Sequence, residues 1–164
     1  MSGTSVDRYR HLFVYEKDAH AKTLASLEAV SGERRDEEPY RRCVELLAHL
    51  VAARRTWLFR FGVSGSRPAT LFPKGGSLAE VASELAAMEA EWESFLDTLD
   101  EAGLERVFEY TALEGARFRN VVEDILTQLF GHSWYHRGQI AQLLRQMGET
   151  PAVTDYVFFM REAV

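Results

Sequence analysis

Apolar residues recur at helical spacing in four long stretches of this chain, and that repetition narrows the available folds more than any other feature. In the first stretch, residues 6–30, Tyr9, Leu12, Phe13, Leu24 and Leu27 share a face under a 3.6-residue period. Ser31, Gly32 and a charged run end it. The second opens at Pro39, whose missing N–H costs nothing in a first helical turn, and runs to Phe61, where Gly62 can take the left-handed conformation that closes a helix. The third opens on Ser77 and Glu80, spaced as a capping box, and continues through Trp92 and Phe95 to about Leu99. The fourth follows Asn120, with Glu123 completing a second cap of that kind, and ends at Gly148 with Pro151 beyond. Four amphipathic helices bury their stripes most economically against one another. The predicted fold is therefore all-α, a four-helix bundle.

The connecting segments add detail. Residues 63–76 are rich in Gly, Ser and Pro and long for a connection in a compact domain, and loops of that length often carry function. Gly103 breaks the pattern after the third helix. Over residues 106–119, Val107, Phe108, Tyr110 and Thr111 favour strand and Glu114 with Gly115 favours a turn, which predicts a short β-hairpin between helices three and four. Residues 155–163 add a short terminal helix. With 164 residues and no internal repeat, a single domain spanning 1–164 is expected.

Composition supports a packed globule: 46% of residues are hydrophobic, 12% aromatic and 27% charged. The net charge of −6 argues against a nucleic-acid partner, since phosphate binding favours a basic excess. Arg41, Arg42, Arg54 and Arg55 form the one local basic cluster and read as solvated surface. No run of about 18 apolar residues offers a membrane span. The polar N-terminus lacks the apolar core of a signal peptide, and the single cysteine, Cys43, permits no internal disulfide. A cytoplasmic protein without membrane contact is the expectation, with Cys43 as a small buried hydrophobe.

Chemistry centres on histidine. His132 and His136 lie four residues apart, so their side chains stand one above the other on one helix face. Ile125, Leu129, Ile140, Leu143 and Met147 define the expected buried stripe of that helix. His136 falls inside it and His132 at its edge, beside Gln128 and Gln139. Buried imidazoles need partners, or each costs roughly 1–3 kcal/mol. A metal ion would satisfy both together, and hydrogen bonds to neighbours would satisfy them separately. Catalytic zinc usually takes three protein ligands, which calls for one more. His49, on the flank of the stripe formed by Val44, Leu47, Leu50, Val51, Leu58 and Phe61, is the best-placed candidate. A flanking position faces either the cleft between helices or water, and periodicity does not decide which. On the first helix, Glu16 and His20 share a face with Phe13, Leu24 and Leu27. They are possible pocket residues or the edge of an exposed face, as are Gln128 and Gln139 beside the histidine pair.

Several chemistries are excluded. The zincin motif needs Glu after its first His, where this chain has Ser133. Residues 62–76 lack the Gly-Lys-Ser/Thr ending of a phosphate-binding loop. Leu129 and Ser133 stand where a di-iron bundle would carry Glu three residues before each His. No serine occupies a Gly-x-Ser-x-Gly elbow. No catalytic residue can be named from the sequence.

Residues 131–140, which read Gly, His, Ser, Trp, Tyr, His, Arg, Gly, Gln and Ile, followed by Leu143, Leu144, Met147, Gly148, Pro151 and Asp155, resemble the signature of DinB-like proteins. Leu46, Leu47, His49, Leu50 and Val51, with Trp57 downstream, resemble their second helix, and the resemblance covers nearly the whole chain. Such proteins are four-helix bundles, often dimeric, with a three-histidine site typically holding zinc or nickel. Carried over residue by residue, that site falls on His49, His132 and His136. Gln128 stands where many members carry a further histidine, and Gly131 where Asn is frequent. The family includes S-transferases that use low-molecular-weight thiols such as bacillithiol or mycothiol.

Two functional readings follow. In one, the chain is a metal-dependent enzyme acting on a small molecule, as a thiol S-transferase or a hydrolase. In the other, the metal only ties the second helix to the fourth in a non-catalytic, dimeric stress-response or binding protein. A homodimer is expected under both. Phe130, Trp134 and Ala141, with Leu126 and Leu144 nearby, make the fourth helix apolar on the side away from its histidines, a patch suited to meeting its own copy unless the hairpin covers it.

Overall fold

A computed structural model describes residues 4–162. Its long helices are α1 (Ser5–Glu28), α2 (Glu38–Arg60), α3 (Leu78–Thr98) and α5 (Val122–Gln146). Short helices α4 (Glu101–Glu105) and α6 (Tyr156–Met160) and a 3-10 turn (Gly32–Arg34) complete the helical content described. Strands β1 (Val107–Thr111) and β2 (Arg117–Val121) pair antiparallel with Val107 opposite Val121 and Thr111 opposite Arg117. The expected all-α bundle with one hairpin is the observed architecture. No described helix is long and apolar enough to cross a membrane.

Local chemistry explains most boundaries. Thr4 caps α1 in a reciprocal box with Asp7, and Ser77 does the same for α3 with Glu80. Pro39 sits in the first turn of α2. Gly62 and Gly148 follow the ends of α2 and α5 with φ of 77° and 76°, a conformation costly for a residue with a Cβ. At two boundaries the expected signal is not the one at work. The residue flanking the start of α5 is Val121, without a side-chain cap, because Asn120 belongs to β2 opposite Phe108 and its Oδ1 accepts from the Tyr110 hydroxyl. Gly103 does not break a helix. The chain turns extended at Leu99, and Gly103 lies inside α4, where its N–H donates to Asp100 Oδ1 at 2.7 Å.

Around the bundle, α1 lies against α3, α3 against α2 and α2 against α5, which returns to α1; the α2–α5 contact is the most extensive. The core runs from Phe13 and Leu27 through Leu47, Leu50 and Leu58 to Met88, Trp92, Leu126 and Ile140. Cys43 is buried in it, as expected, and burial pushes its thiol pKa up to about 12. Arg54 is not solvated surface: only 2% of it is exposed, because it pairs with the buried Glu16. Leu126, Phe130 and Leu144 are also internal, and only Trp134 of the suspected outer patch is largely exposed, at 46%. It flanks a cavity of about 450 Å³ beside residues 152–156, a segment that packs along the bundle where the hairpin was considered as cover.

Candidate metal centre

The α2–α5 contact brings the three histidines together. His49 projects from α2, and His132 and His136 from successive turns of α5. His132 Nε2 lies 3.1 Å from His49 Nε2 and 3.1 Å from His136 Nε2. One ring nitrogen from each of the three lies within 4.8 Å of the others, so the group could hold a metal ion. A tetrahedral ion at ordinary zinc–nitrogen lengths separates its ligand atoms by about 3.3 Å, which these spacings approach.

The outward nitrogens decide what the inward ones can do. His49 Nδ1 donates to the Leu71 carbonyl at 2.6 Å, and His136 Nδ1 donates to Gln139 Oε1 at 2.7 Å. A carbonyl oxygen can only accept, so each Nδ1 carries the hydrogen and each neutral ring presents a bare lone pair at Nε2. Two such lone pairs face His132 Nε2, and a single N–H there could satisfy only one of them. A cation satisfies all three. Fixing the tautomer through the far nitrogen is the usual supporting arrangement for metal-binding histidine.

The electrostatics agree. Burial, then the neighbouring rings of His136 and His49, pushes the pKa of His132 down to about 4, with Arg54 adding to the effect and Glu16 opposing it. Burial also lowers the pKa of His136, against the hydrogen bond to Gln139. These rings resist protonation at neutral pH, which leaves their lone pairs available. No Asp or Glu among the described residues joins the cluster, so a dication held there would keep its charge uncompensated by ligands.

The 61–77 connection covers the centre. Phe72 stacks on His49 at 4.5 Å with 4° between the planes, and Leu71 supplies the carbonyl already described. A small pocket of about 40 Å³ adjoins the cluster, walled by Arg42, Glu45, His49, Phe72, Lys74 and His136. The expectation that this long loop carries function thus gains a particular form.

The remaining candidates separate. Gln139 is half-buried and supports His136, whereas Gln128 is exposed one turn before His132. Glu16 and His20 are buried, and neither lines the cavity beside residues 152–156 or the small pocket at the histidines. They lie in a polar knot inside the bundle. The buried stripe of α5 is wider than expected: Ile125, Leu129, Ile140 and Met147 are buried as expected, Leu126, Phe130, Ser133, Arg137 and Leu144 are buried as well, and the two histidines are half-buried, His136 included. Reading only apolar residues left out Ser133 and Arg137, which occupy two of its central positions. Ser133 lies three residues after Phe130, Arg137 four after Ser133 and Ile140 three after Arg137, and that helical spacing was the available signal. Arg54 gave no comparable signal, and the Leu71 carbonyl could not have been found from residue type.

A helical bundle whose most extensive helix contact gathers three histidines on its flank defines the class. The DinB family model matches residues 1–163, and the chain belongs to the DinB family. Among curated proteins none matches it.

Proposed function

We propose that the chain binds one divalent ion, zinc or nickel, through the Nε2 atoms of His49, His132 and His136, and that it is a metal-dependent thiol S-transferase acting on a small electrophile. The observation that carries the reading is the convergence of three Nε2 atoms, two of which, on His49 and His136, lie opposite nitrogens committed as donors. A bound ion at an all-nitrogen site supplies Lewis acidity that lowers the pKa of a thiol or a water molecule. Only three protein ligands converge, which leaves room for such a group. The side chains do the rest. Phe72 and the loop beneath it restrict water on one side of His49. Arg42 and Lys74 give the adjoining pocket positive walls suited to a developing anion. Glu45, one turn before His49 in the same wall, accepts the proton leaving the thiol. The sulfur then forms a bond to the electrophilic carbon as that carbon's bond to its leaving group breaks, and the leaving group departs with the electron pair. Water in place of the thiol would give hydrolysis at the same site. A reducing cytoplasm, where such thiols are kept, is the setting this chemistry needs.

The small volume of the adjoining pocket favours one further reading, in which the ion only ties α2 to α5 of a non-catalytic protein. Zinc- and nickel-loaded protein incubated with a chlorobimane and, in turn, bacillithiol, mycothiol, glutathione and coenzyme A separates the two. Metal-dependent conjugate formation with one thiol supports the transferase. Absence of turnover with every thiol, alongside full metal loading, supports the tie.

A further inference from the structure

Behind the histidines lies a knot of charge that the proposed chemistry does not use. Glu16 of α1 is 0% exposed. Its Oε2 accepts from Arg54 Nη2 of α2, and its Oε1 lies 3.7 Å from Arg137 Nη1 of α5 and 3.9 Å from His20 Nε2. Arg137 donates through Nη2 to the Tyr15 hydroxyl, which donates to the Thr154 carbonyl. His20 Nδ1 donates to Glu89 Oε1 of α3 at 2.8 Å. The Arg54 guanidinium sits over the rings of Phe13, Trp92 and Phe130. Side chains of α1, α2 and α5 therefore meet at one carboxylate, and α3 joins through His20.

Stability alone does not account for this arrangement. Taking each ion out of water costs several kcal/mol, and well-packed apolar side chains often serve a core as well or better. The knot also leaves Glu16 Oε1, Arg54 Nε, Ser133 Oγ and Arg137 Nε and Nη1 without a hydrogen-bond partner. What an ion pair supplies that a leucine does not is a fixed distance between particular atoms. Here the two guanidiniums belong to the two helices that carry the histidines. Ser133 directly follows His132, Arg137 directly follows His136, and Arg54 lies five residues, or about 7.5 Å of helix rise, beyond His49.

We propose that Glu16 is a positioning residue for the three-histidine site: clamped between Arg54 of α2 and Arg137 of α5, it sets the spacing of the helices on which the ligand nitrogens converge. The proposal rests on the metal reading above. Glu16 makes no hydrogen bond to any of the three ligands and acts through the helices that carry them.

Cobalt(II) tests it, because its visible absorption reports ligand geometry apart from any catalysis. Wild type, Glu16→Gln and a control, Leu27→Ala, are titrated with cobalt(II) under conditions where circular dichroism shows each folded. Leu27 is fully buried on α1 and belongs to the apolar core. Glu16→Gln is expected to weaken cobalt binding about tenfold or more, the effect of losing a supporting residue, and to shift the visible bands. Leu27→Ala is expected to lower Tm without changing either. If Glu16→Gln does not fold, Arg137→Gln is read in its place with the same expectation. Wild-type affinity and bands in the Glu16 variant would overturn the proposal, as would an equal loss in the Leu27 control. A wild type that takes up no cobalt would overturn the metal reading itself, and this proposal with it.

Discussion

At His132, packing and charge work in one direction. The ring is half-buried, flanked by two other imidazoles, and its pKa is held near 4. Glu16 is shifted downward too: burial opposes the shift, and Arg54, His20 and Arg137 outweigh it. The consequence for stability has a definite sign. In metal-free protein an unfolded His132 takes up its proton near pH 6.5, whereas the folded ring resists until about pH 4. Its contribution to stability is complete above pH 6.5 and is lost progressively as pH falls toward 4. The contribution of Glu16 is likewise present above its unfolded carboxyl pKa and is lost as pH falls through its lower folded value. Metal-free protein should therefore lose denaturant stability as pH falls from 6.5 to 4, and the His132 ring signal in a proton NMR titration should not move until near pH 4. A ring that titrates near 6.5 in folded, metal-free protein would contradict the buried environment described. Residue type and spacing alone brought His132 and His136 into view, since four residues is one helical turn. They could not place His49, because a flanking position on one helix faces its partners only after two helices have docked. The charged knot was hidden for a related reason: Arg54, Arg137 and Glu16 are types that usually meet water, and only mutual pairing makes their burial tolerable.

Elements were the most legible scale. Periodicity, the Ser77 cap, Pro39, Gly62 and Gly148 marked the four long helices, because each acts within a few residues of its own position. The start of α5 fell close to its expected place, but its expected cap did not form, because Asn120 pairs in the hairpin instead of capping the helix. Glycine substitutions separate local from long-range causes. Gly148 has φ of 76°, so Gly148→Ala should destabilise the protein by roughly 1 kcal/mol. Gly131 lies within α5 with no atom within 4 Å of an added Cβ, so Gly131→Ala should stabilise it by a similar amount. Urea denaturation of both variants checks the pair, and the same sign of change in the two would contradict these backbone assignments. The loop over His49 shows the opposite case. Its length suggested function, but the Leu71 carbonyl and the Phe72 ring acquire their roles only from where the loop lands.

For the whole molecule, the bundle accounts for most of the apolar surface of α5 internally. Leu126, Phe130 and Leu144 face the core, and Trp134 remains at the surface beside Gly138, Ala141 and residues 152–156. A homodimer through this face is our proposal for assembly. An indole at the centre of a two-fold contact meets its own copy and would carry much of the binding energy. Sedimentation of wild type at high micromolar concentration should show a dimer, and Trp134→Glu should show a monomer that keeps its helical signal. A monomeric wild type at that concentration would contradict the dimer. The central claim is that three imidazoles from α2 and α5 hold one divalent ion, and metal analysis of purified protein tests it most directly. Wild type reconstituted with zinc or nickel and freed of excess ion should carry close to one ion per chain, as the single three-ligand cluster among the described residues requires. His136→Ala should lose the ion while keeping its helical circular dichroism. Full occupancy that survives each of His49→Ala, His132→Ala and His136→Ala would contradict the claim.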